Sequence, residues 1–341
     1  MSDLRDAFNA VLEGRSLDAV RAERVMGEVF DGEPAEALIA GFLVALKLKG
    51  ESAAELTGGA RAMRSRARAL DLNGGNVLDT AGTGGDGAST FNISTGAALV
   101  AAAAGVLVAK HGNRAISGRV GAADVLERLG VKIELDPEGV RRCLSAAGCC
   151  FIFAPAYHPV LARLAALRRT LGVRSVFNLI APLSNPACPR RQLLGVADPR
   201  LVRLMAEALA ALGVDHAMVV HGEDGLDELS LAAPTRVAEI RGGAVTEFEV
   251  LPRELGLAPG DPSALQVTDV DHATEILRRT LAGEEGAAQD VLALNAGAAI
   301  YVGGRAASLS DGIAAAREIL AAGKALHVVD RMRRASHEEA S

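Results

Sequence analysis

Four runs in this chain of 341 residues carry side chains whose types and spacing could do chemistry. The densest is Asp79-Thr80-Ala81-Gly82-Thr83-Gly84-Gly85-Asp86-Gly87-Ala88-Ser89-Thr90-Phe91-Asn92-Ile93-Ser94-Thr95. Its clustered glycines let the backbone approach a ligand and turn N–H groups inward, as a phosphate nest requires. Asn92, Ser94 and Thr95 then open a predicted helix, where free N–H groups and the helix dipole favour an anion. Gly82, Gly84 and Gly87 also satisfy the GxGxxG spacing of a dinucleotide fold. That fold needs an acid about 20 positions on to hold a ribose. Here no acid occurs between Asp86 and Asp124, and the second predicted strand ends in Lys110. No Lys-Ser or Lys-Thr follows the glycines, so the run is not a Walker loop either.

The second run is Lys110-His111-Gly112-Asn113-Arg114. In a parallel sheet ligands sit off the carboxyl ends of strands, so it should face the same crevice as the glycines. Lys110 is a compact cation suited to a phosphate oxygen, and His111 could either touch a ligand or simply pack. The third is Asp227-Glu228. Adjacent loop carboxylates are often only solvated, but beside a polyphosphate they suit Mg2+, which takes one or two carboxylates plus phosphate oxygens and water. The fourth is Arg168, within Arg168-Arg169-Thr170-Leu171-Gly172-Val173-Arg174-Ser175-Val176-Phe177-Asn178. Its guanidinium is a good bidentate partner for a substrate carboxylate, and spacing alone does not separate that role from surface salt bridging.

Composition limits what surrounds these runs. At about 150 residues per domain the length suggests about two domains. Half the residues are hydrophobic and 23% charged, the mix of an ordinary globular protein. A 3% aromatic share without Trp argues against base-stacking platforms. A net charge of -6 argues against a mainly electrostatic nucleic-acid or anionic-membrane binder, so phosphate affinity must come from a local site. Lys110 is one of only five lysines among 36 basic residues. Cys143, Cys149, Cys150 and Cys188 show no CxxC spacing, which suits a reducing cytoplasm. Met1-Ser2-Asp3-Leu4-Arg5-Asp6 lacks the basic-then-apolar start of a signal peptide. The longest apolar run, Gly96 to Ala109, falls short of the ~20 residues that span a bilayer and reads as buried helix plus strand.

Residues 1 to about 70 read as helical. Ser16-Leu17-Asp18-Ala19 opens an amphipathic stretch, Glu33-Pro34-Ala35-Glu36 a second, and Ser52-Ala53-Ala54-Glu55 is a capping box. From Asn73-Gly74-Gly75 onward strands and helices alternate. Strands are predicted at 76–79, 106–109, 131–135, 150–153 and 217–220, and helices at 97–104, 121–129, 138–146, 199–212, 286–299 and 309–322. This alternation implies an α/β domain with a largely parallel sheet. Arg236 to Ile240 and Val245 to Val250, around Gly242-Gly243, predict an added hairpin. The tail, residues 331–341, is polar and expected to fray.

Together the runs resemble the anthranilate phosphoribosyltransferases of tryptophan biosynthesis. The resemblance covers most of the chain. It rests on Gly82-Thr83-Gly84-Gly85-Asp86, Asn92-Ile93-Ser94-Thr95, Lys110 to Arg114, Ala123-Asp124-Val125-Leu126-Glu127, Phe177-Asn178 through Pro182-Leu183-Ser184-Asn185-Pro186, and Gly225-Leu226-Asp227-Glu228. It implies a small all-helical domain plus a larger α/β domain with a central, mostly parallel sheet, of the nucleoside phosphorylase and phosphoribosyltransferase type. The helical domain would comprise 1–71 with about 163–186 returning to it, and the α/β domain 72–162 and 187–330. Two copies would pair through the helical domain. The implied reaction moves phosphoribose from 5-phosphoribosyl 1-diphosphate to the amine of anthranilate. The implied donor site comprises Gly82, Gly85, Asp86, Thr90, Asn92, Ile93, Ser94, Thr95, Lys110, His111, Gly112, Asn113, Arg114, Ser117, Gly118 and Ala122. Gly82, Asn113 and Arg168 would place anthranilate, and Ser94, Asp227 and Glu228 would ligate Mg2+. No general base and no covalent intermediate are expected, because the aromatic amine is already a neutral nucleophile that needs placement.

Two departures from the family pattern stand out. Ser117-Gly118-Arg119-Val120-Gly121-Ala122 replaces the common Ser-Ser-Lys-Ser-Gly-Ser, losing hydroxyls at Val120 and Ala122, and Ala181 stands where Gly is usual. They leave room for a different aromatic amine as acceptor. Other readings are a pyrimidine nucleoside phosphorylase or a nucleic-acid-binding relative of the same fold. The acidic net charge and the complete Asp227-Glu228 pair disfavour the last.

Overall fold

Ser52 and Glu55 satisfy each other's backbone donors as the sequence predicts. Glu55 N–H donates to Ser52 Oγ at 3.2 Å and Ser52 N–H to Glu55 Oε2 at 2.8 Å, starting the helix Ala53–Arg64. The buried Glu55 carboxylate also accepts from Leu17 N–H and Lys49 Nζ, each at 3.0 Å. One acid thus ties together the starts and ends of neighbouring helices. The computed structural model describes residues 3–32, 34–72, 76–115 and 120–338. The predictions at Glu33, Asn73 to Gly75, Ser117, Gly118 and Arg119 lie outside the described residues.

The amino-terminal helices are Asp3–Leu12, Ala19–Asp31, Glu36–Lys49 and Ala53–Arg64. They do not bury a core of their own. Phe30, Phe42, Leu56 and Met63 join one apolar cluster with Leu164, Leu167, Phe177, Ile180 and Leu183 from a later part of the chain. The same cluster takes in Leu194, Val219 and Ile240 from one face of the sheet.

That sheet has seven strands: β1 (Leu78–Gly82), β2 (Val108–Gly112), β3 (Cys149–Phe153), β4 (Arg191–Gly195), β5 (His216–Gly222), β6 (Thr235–Arg241) and β7 (Ala244–Val250). Their order is β3-β2-β1-β4-β5-β6-β7. The first five pair in parallel, while β6 and β7 are antiparallel. Every residue of β5 is buried, as expected of a strand covered on both faces. Gly242 and Gly243, at φ 55° and 84°, form the tight hairpin turn the sequence predicts. No helix among the described residues is long and apolar enough to cross a membrane.

Several expectations need correction. β1 and β2 begin two residues later than predicted and run further, so Lys110 and His111 lie inside β2 rather than after it. β4 was not anticipated. The stretch 131–135 forms no strand: Val131, Ile133 and Leu135 are buried, but the backbone finds other partners. Lys132 N–H donates to Ser336 Oγ at 3.0 Å, and Leu135 C=O accepts from Tyr157 Oη at 3.2 Å. The polar tail does not fray at Arg331. The helix Lys324–His337 carries it on, with Met332, Ala335 and Ser336 buried. Ala181 sits at φ −54°, ψ −51°, an ordinary right-handed conformation that accepts a methyl without strain.

Candidate active site

The chain adds β2 and β3 on one side of β1, then returns to place β4 and β5 on the other. The crevice off the carboxyl ends of β1 and β4 is therefore the topological switch point, where open α/β sheets bind ligands. Gly82 and Gly195 are paired at this end. Both must lack a side chain, because Asp227 lies over them. A Cβ on Gly195 would sit 1.6 Å from Asp227 C=O, and one on Gly82 would sit 2.8 Å from Asp227 Oδ2.

The glycine run leaves β1 and is stitched down at its far side. Phe91 N–H donates to Leu265 C=O at 2.9 Å and Val267 N–H to Ser89 C=O at 2.8 Å, while Thr90 bridges Gln266. Gly84 N–H donates to Asp227 Oδ2 at 2.9 Å. The helix Ile93–Ala103 follows, with Asn92 as its cap residue but without a side-chain capping bond. Asn92 Oδ1 and Thr95 Oγ1 are buried without a hydrogen-bond partner among the described residues. An unsatisfied hydroxyl at Thr95, at a helix start beside a glycine loop, is a donor that an anion site leaves for its ligand, while the Asn92 amide oxygen can only accept, as from a ligand hydroxyl. Ile93 instead sends its side chain into the core and its N–H to Phe91 C=O, so it frames the site.

Lys110 reaches up from β2. Its Nζ donates to Thr80 C=O and, at 3.2 Å, to Ser94 Oγ. Burial works to lower its pKa, while the Asp79 and Glu228 carboxylates oppose that and favour the charged form. Asp79 is fully buried beneath it, accepting from His111 N–H at 3.0 Å and Asn185 Nδ2 at 2.9 Å. Burial nonetheless raises Asp79 to about 6. Burial also raises Asp227 to about 7, helped by the Asp86 carboxyl beside it. Glu228 is raised by burial and then by Asp227, although Ser94 N–H donates to it.

The carboxyls of Asp79, Asp86, Asp227 and Glu228 thus outnumber the cations beside them, Lys110 and Arg174. The oxygen donors of Asp227, Glu228 and the Ser94 hydroxyl are hard ligands whose negative charge Lys110 and Arg174 offset only in part, and they fit a divalent ion such as Mg2+. Among the described residues no three His, Cys, Asp or Glu side chains form a metal cage. A site completed by water and a ligand's phosphate oxygens does not need one.

The second run divides. Gly112 packs where a Cβ would meet Phe151 at 2.8 Å. Asn113 stays half-buried, with Oδ1 accepting from Arg114 N–H at 2.7 Å. Arg114 turns onto Glu127 and Asp124 and lies over Phe153 at 5.6 Å, so its charge is already engaged. Asp124 accepts from Ala115 and Gly121 N–H, at 3.1 and 2.9 Å, and pins both ends of the loop that Ala122 follows. His111 is buried against His158, ring centroids 5.1 Å apart, and its Nε2 has no partner among the described residues. Burial holds His111 well below its ordinary value and His158 at about 4, so both are neutral at pH 7.

A histidine depressed in the folded state stabilises the fold above about pH 6.5, and that contribution is lost as pH falls toward 4. His158→Gln should therefore flatten the acid limb of stability, by at most about 1.4 kcal/mol per pH unit. Urea unfolding at pH 4.5, 5.5, 6.5 and 7.5 checks this. Parallel curves for the two proteins would contradict it.

Arg168 ends the helix Val160–Leu171 half-buried, its guanidinium 5.5 Å over the Phe177 ring. No carboxylate pairs with it among the described residues, which leaves it open to an incoming one. Sequence reasoning gave no role to Asp79, His158, Asn185 or Gly195, or to Arg174, whose Nη2 donates to Thr83 C=O at 2.8 Å. Arg174 stood inside a run already singled out, but only the fold shows which arginine of that run touches the glycine loop.

The family model described as glycosyl transferase family, a/b domain, matches residues 74–326, and the companion helical bundle domain matches 5–67. An anthranilate phosphoribosyltransferase of Rubrobacter xylanophilus is 48% identical over 98% of this chain and 97% of its own length. One of Symbiobacterium thermophilum is 46% identical over 98% of each. The solved anthranilate phosphoribosyltransferase of Thermus thermophilus superposes with a TM-score of 0.92 at 44% identity, covering 98% of this chain and all of that one. The Saccharomyces cerevisiae enzyme in complex with PRPP and Mg shares the fold, with a TM-score of 0.87 at 24% identity over 98% of this chain and 97% of its own. By its glycine run, its crevice and these full-length likenesses, the chain belongs to the anthranilate phosphoribosyltransferase family.

Proposed function

We propose that the chain transfers the 5-phosphoribosyl group from 5-phosphoribosyl 1-diphosphate to the amine of anthranilate, in tryptophan biosynthesis. The products are N-(5-phosphoribosyl)anthranilate and diphosphate. The observation that carries this reading is the convergence of the glycine loop, Lys110, Asp227 and Glu228 at one crevice. The bond from the anomeric carbon to diphosphate breaks with its electron pair leaving on oxygen, and the amine nitrogen bonds to that carbon and loses a proton to solvent.

Backbone N–H groups from Gly85 to Gly87, the start of the helix at Asn92 to Thr95, and Lys110 hold the donor's phosphates and stabilise charge on the leaving group. The Thr83 and Gly84 N–H groups already donate to Gly195 C=O and Asp227 Oδ2. Asp86, Thr90, His111, Gly112, Asn113 and the loop through Ser117, Gly118 and Ala122 complete that side. Ser94, Asp227 and Glu228 would hold Mg2+, which when bound offsets the charge of the diphosphate. Neutral His111 orients rather than accepts a proton. Gly82 and Asn113 place the acceptor ring and Arg168 pairs with its carboxylate. Arg168→Ala should raise the anthranilate KM about 10- to 100-fold while the donor KM changes less than twofold. Equal changes in both would contradict this role.

The all-free cysteines fit a reducing cytoplasm. The helical part is the dimer face in this reading. Leu12, Val20, Val44 and Leu48 there are 62%, 66%, 39% and 82% exposed, an apolar set that a second copy would cover. Leu48→Glu should shift a dimer toward monomer in sedimentation velocity, and an unchanged distribution would count against that face.

A further inference from the structure

One peptide group in the glycine loop is gripped at both ends by opposite charges. The Thr83 C=O accepts from Arg174 Nη2 at 2.8 Å, and the Gly84 N–H of the same peptide donates to Asp227 Oδ2 at 2.9 Å. The next residue makes room for the cation. Gly85 sits at φ 84°, and a Cβ there would lie 1.6 Å from Arg174 Nη1. Arg174 has no carboxylate in salt-bridge contact among the described residues, and its one direct hydrogen bond goes to the loop backbone. It arrives from the segment after the helix Val160–Leu171, whose Gly172 turn at φ 62° aims the chain back at the sheet.

A loop with glycines at 82, 84, 85 and 87 has many backbone conformations to lose, and nothing in its own side chains selects one. An anion nest works only if its N–H groups already point at the ligand. We propose that Arg174 is a positioning residue for the phosphoribosyl donor, fixing the Thr83–Gly84 peptide so that the glycine loop is preorganised before the donor arrives. This rests on the transferase reading above. The guanidinium fork is suited to it, since Nη2 donates to Thr83 C=O while Nη1 points end-on into the space a side chain on Gly85 would fill. A lysine ammonium can supply the charge and one bond but has no second nitrogen to fill the space beside Gly85.

The test compares wild type, Arg174→Ala and Arg174→Lys in two measurements. In initial-rate kinetics Arg174→Ala should lower kcat/KM for the donor about 10²-fold, with the anthranilate KM within twofold of wild type. Millimolar guanidinium should restore part of the loss, and Arg174→Lys should fall between. In hydrogen exchange of the ligand-free protein, amides of residues 83–87 should exchange faster in Arg174→Ala, while those of β5 stay unchanged. An unaltered donor term, equal loss on both substrates without rescue, or unaltered exchange at 83–87 would overturn the proposal. Where Arg174→Ala does not fold, Arg174→Lys carries both measurements. A wild type without turnover would defeat the transferase reading, and the exchange comparison would still decide the role of Arg174.

Discussion

Asp227→Asn combined with Glu228→Gln is expected to lower kcat/KM for the phosphoribosyl donor about 10³-fold and to abolish the response of the remaining rate to Mg2+. The amides keep the volume and an acceptor oxygen for Gly84 N–H and Ser94 N–H, so the loop contacts survive. What disappears is two negative charges at the point where the donor's diphosphate must be neutralised. The same substitutions should leave thermal stability unchanged or raise it. Burial already disfavours both ionised carboxyls in the free protein, so removing their charge relieves a penalty. Rates measured across a Mg2+ titration, with melting temperatures alongside, check both halves. A Mg2+ dependence like that of wild type would remove these residues from the metal role.

Lys110→Met should separate activity from stability. The ammonium lies between Thr80 C=O and Ser94 Oγ, so its loss takes the lysine cation out of the crevice. A fall of about 10²-fold in donor kcat/KM follows if it contacts phosphate. Asp79 then keeps its neutral donors, His111 N–H and Asn185 Nδ2, but loses its charge partner. Leaving a buried charge without its partner costs about 3 kcal/mol or more. Asp79 is already raised to about 6, above its unfolded value. A group of that kind favours the fold most at low pH, and its contribution is lost as pH rises through the folded value. The variant should therefore be nearly as stable as wild type at pH 5 and clearly weaker at pH 8. Adding Asp79→Asn should return stability at pH 8 without returning activity. Urea midpoints at the two pH values decide this, and a loss independent of pH would contradict the link between Lys110 and Asp79.

The elements legible in the sequence were those with a local cause. The Ser52–Glu55 capping box and the Gly242-Gly243 turn each act within a few residues, and both appear as expected. The glycine run was legible for the same reason. Misplaced boundaries fall where function overrides pattern. Lys110 and His111 are polar, so the apolar signal of β2 stops before them, yet both are buried inside the strand. β4 was missed because Arg191-Gln192-Leu193-Leu194-Gly195 holds only two apolar side chains between polar and glycine ends. The stretch 131–135 has strand-like alternation but bonds to a serine and a tyrosine instead of a strand. The positions of Arg174 and Asp227 around one peptide depend on chain segments far apart in sequence, and no local spacing encodes that.

The most direct test of the central claim is to mix the protein with 5-phosphoribosyl 1-diphosphate, Mg2+ and anthranilate, and to follow anthranilate fluorescence together with diphosphate release. Fluorescence should fall only when protein, donor and Mg2+ are all present, with one diphosphate released per anthranilate consumed. Diphosphate release without loss of anthranilate, or no reaction with anthranilate while another aromatic amine is consumed, would contradict it.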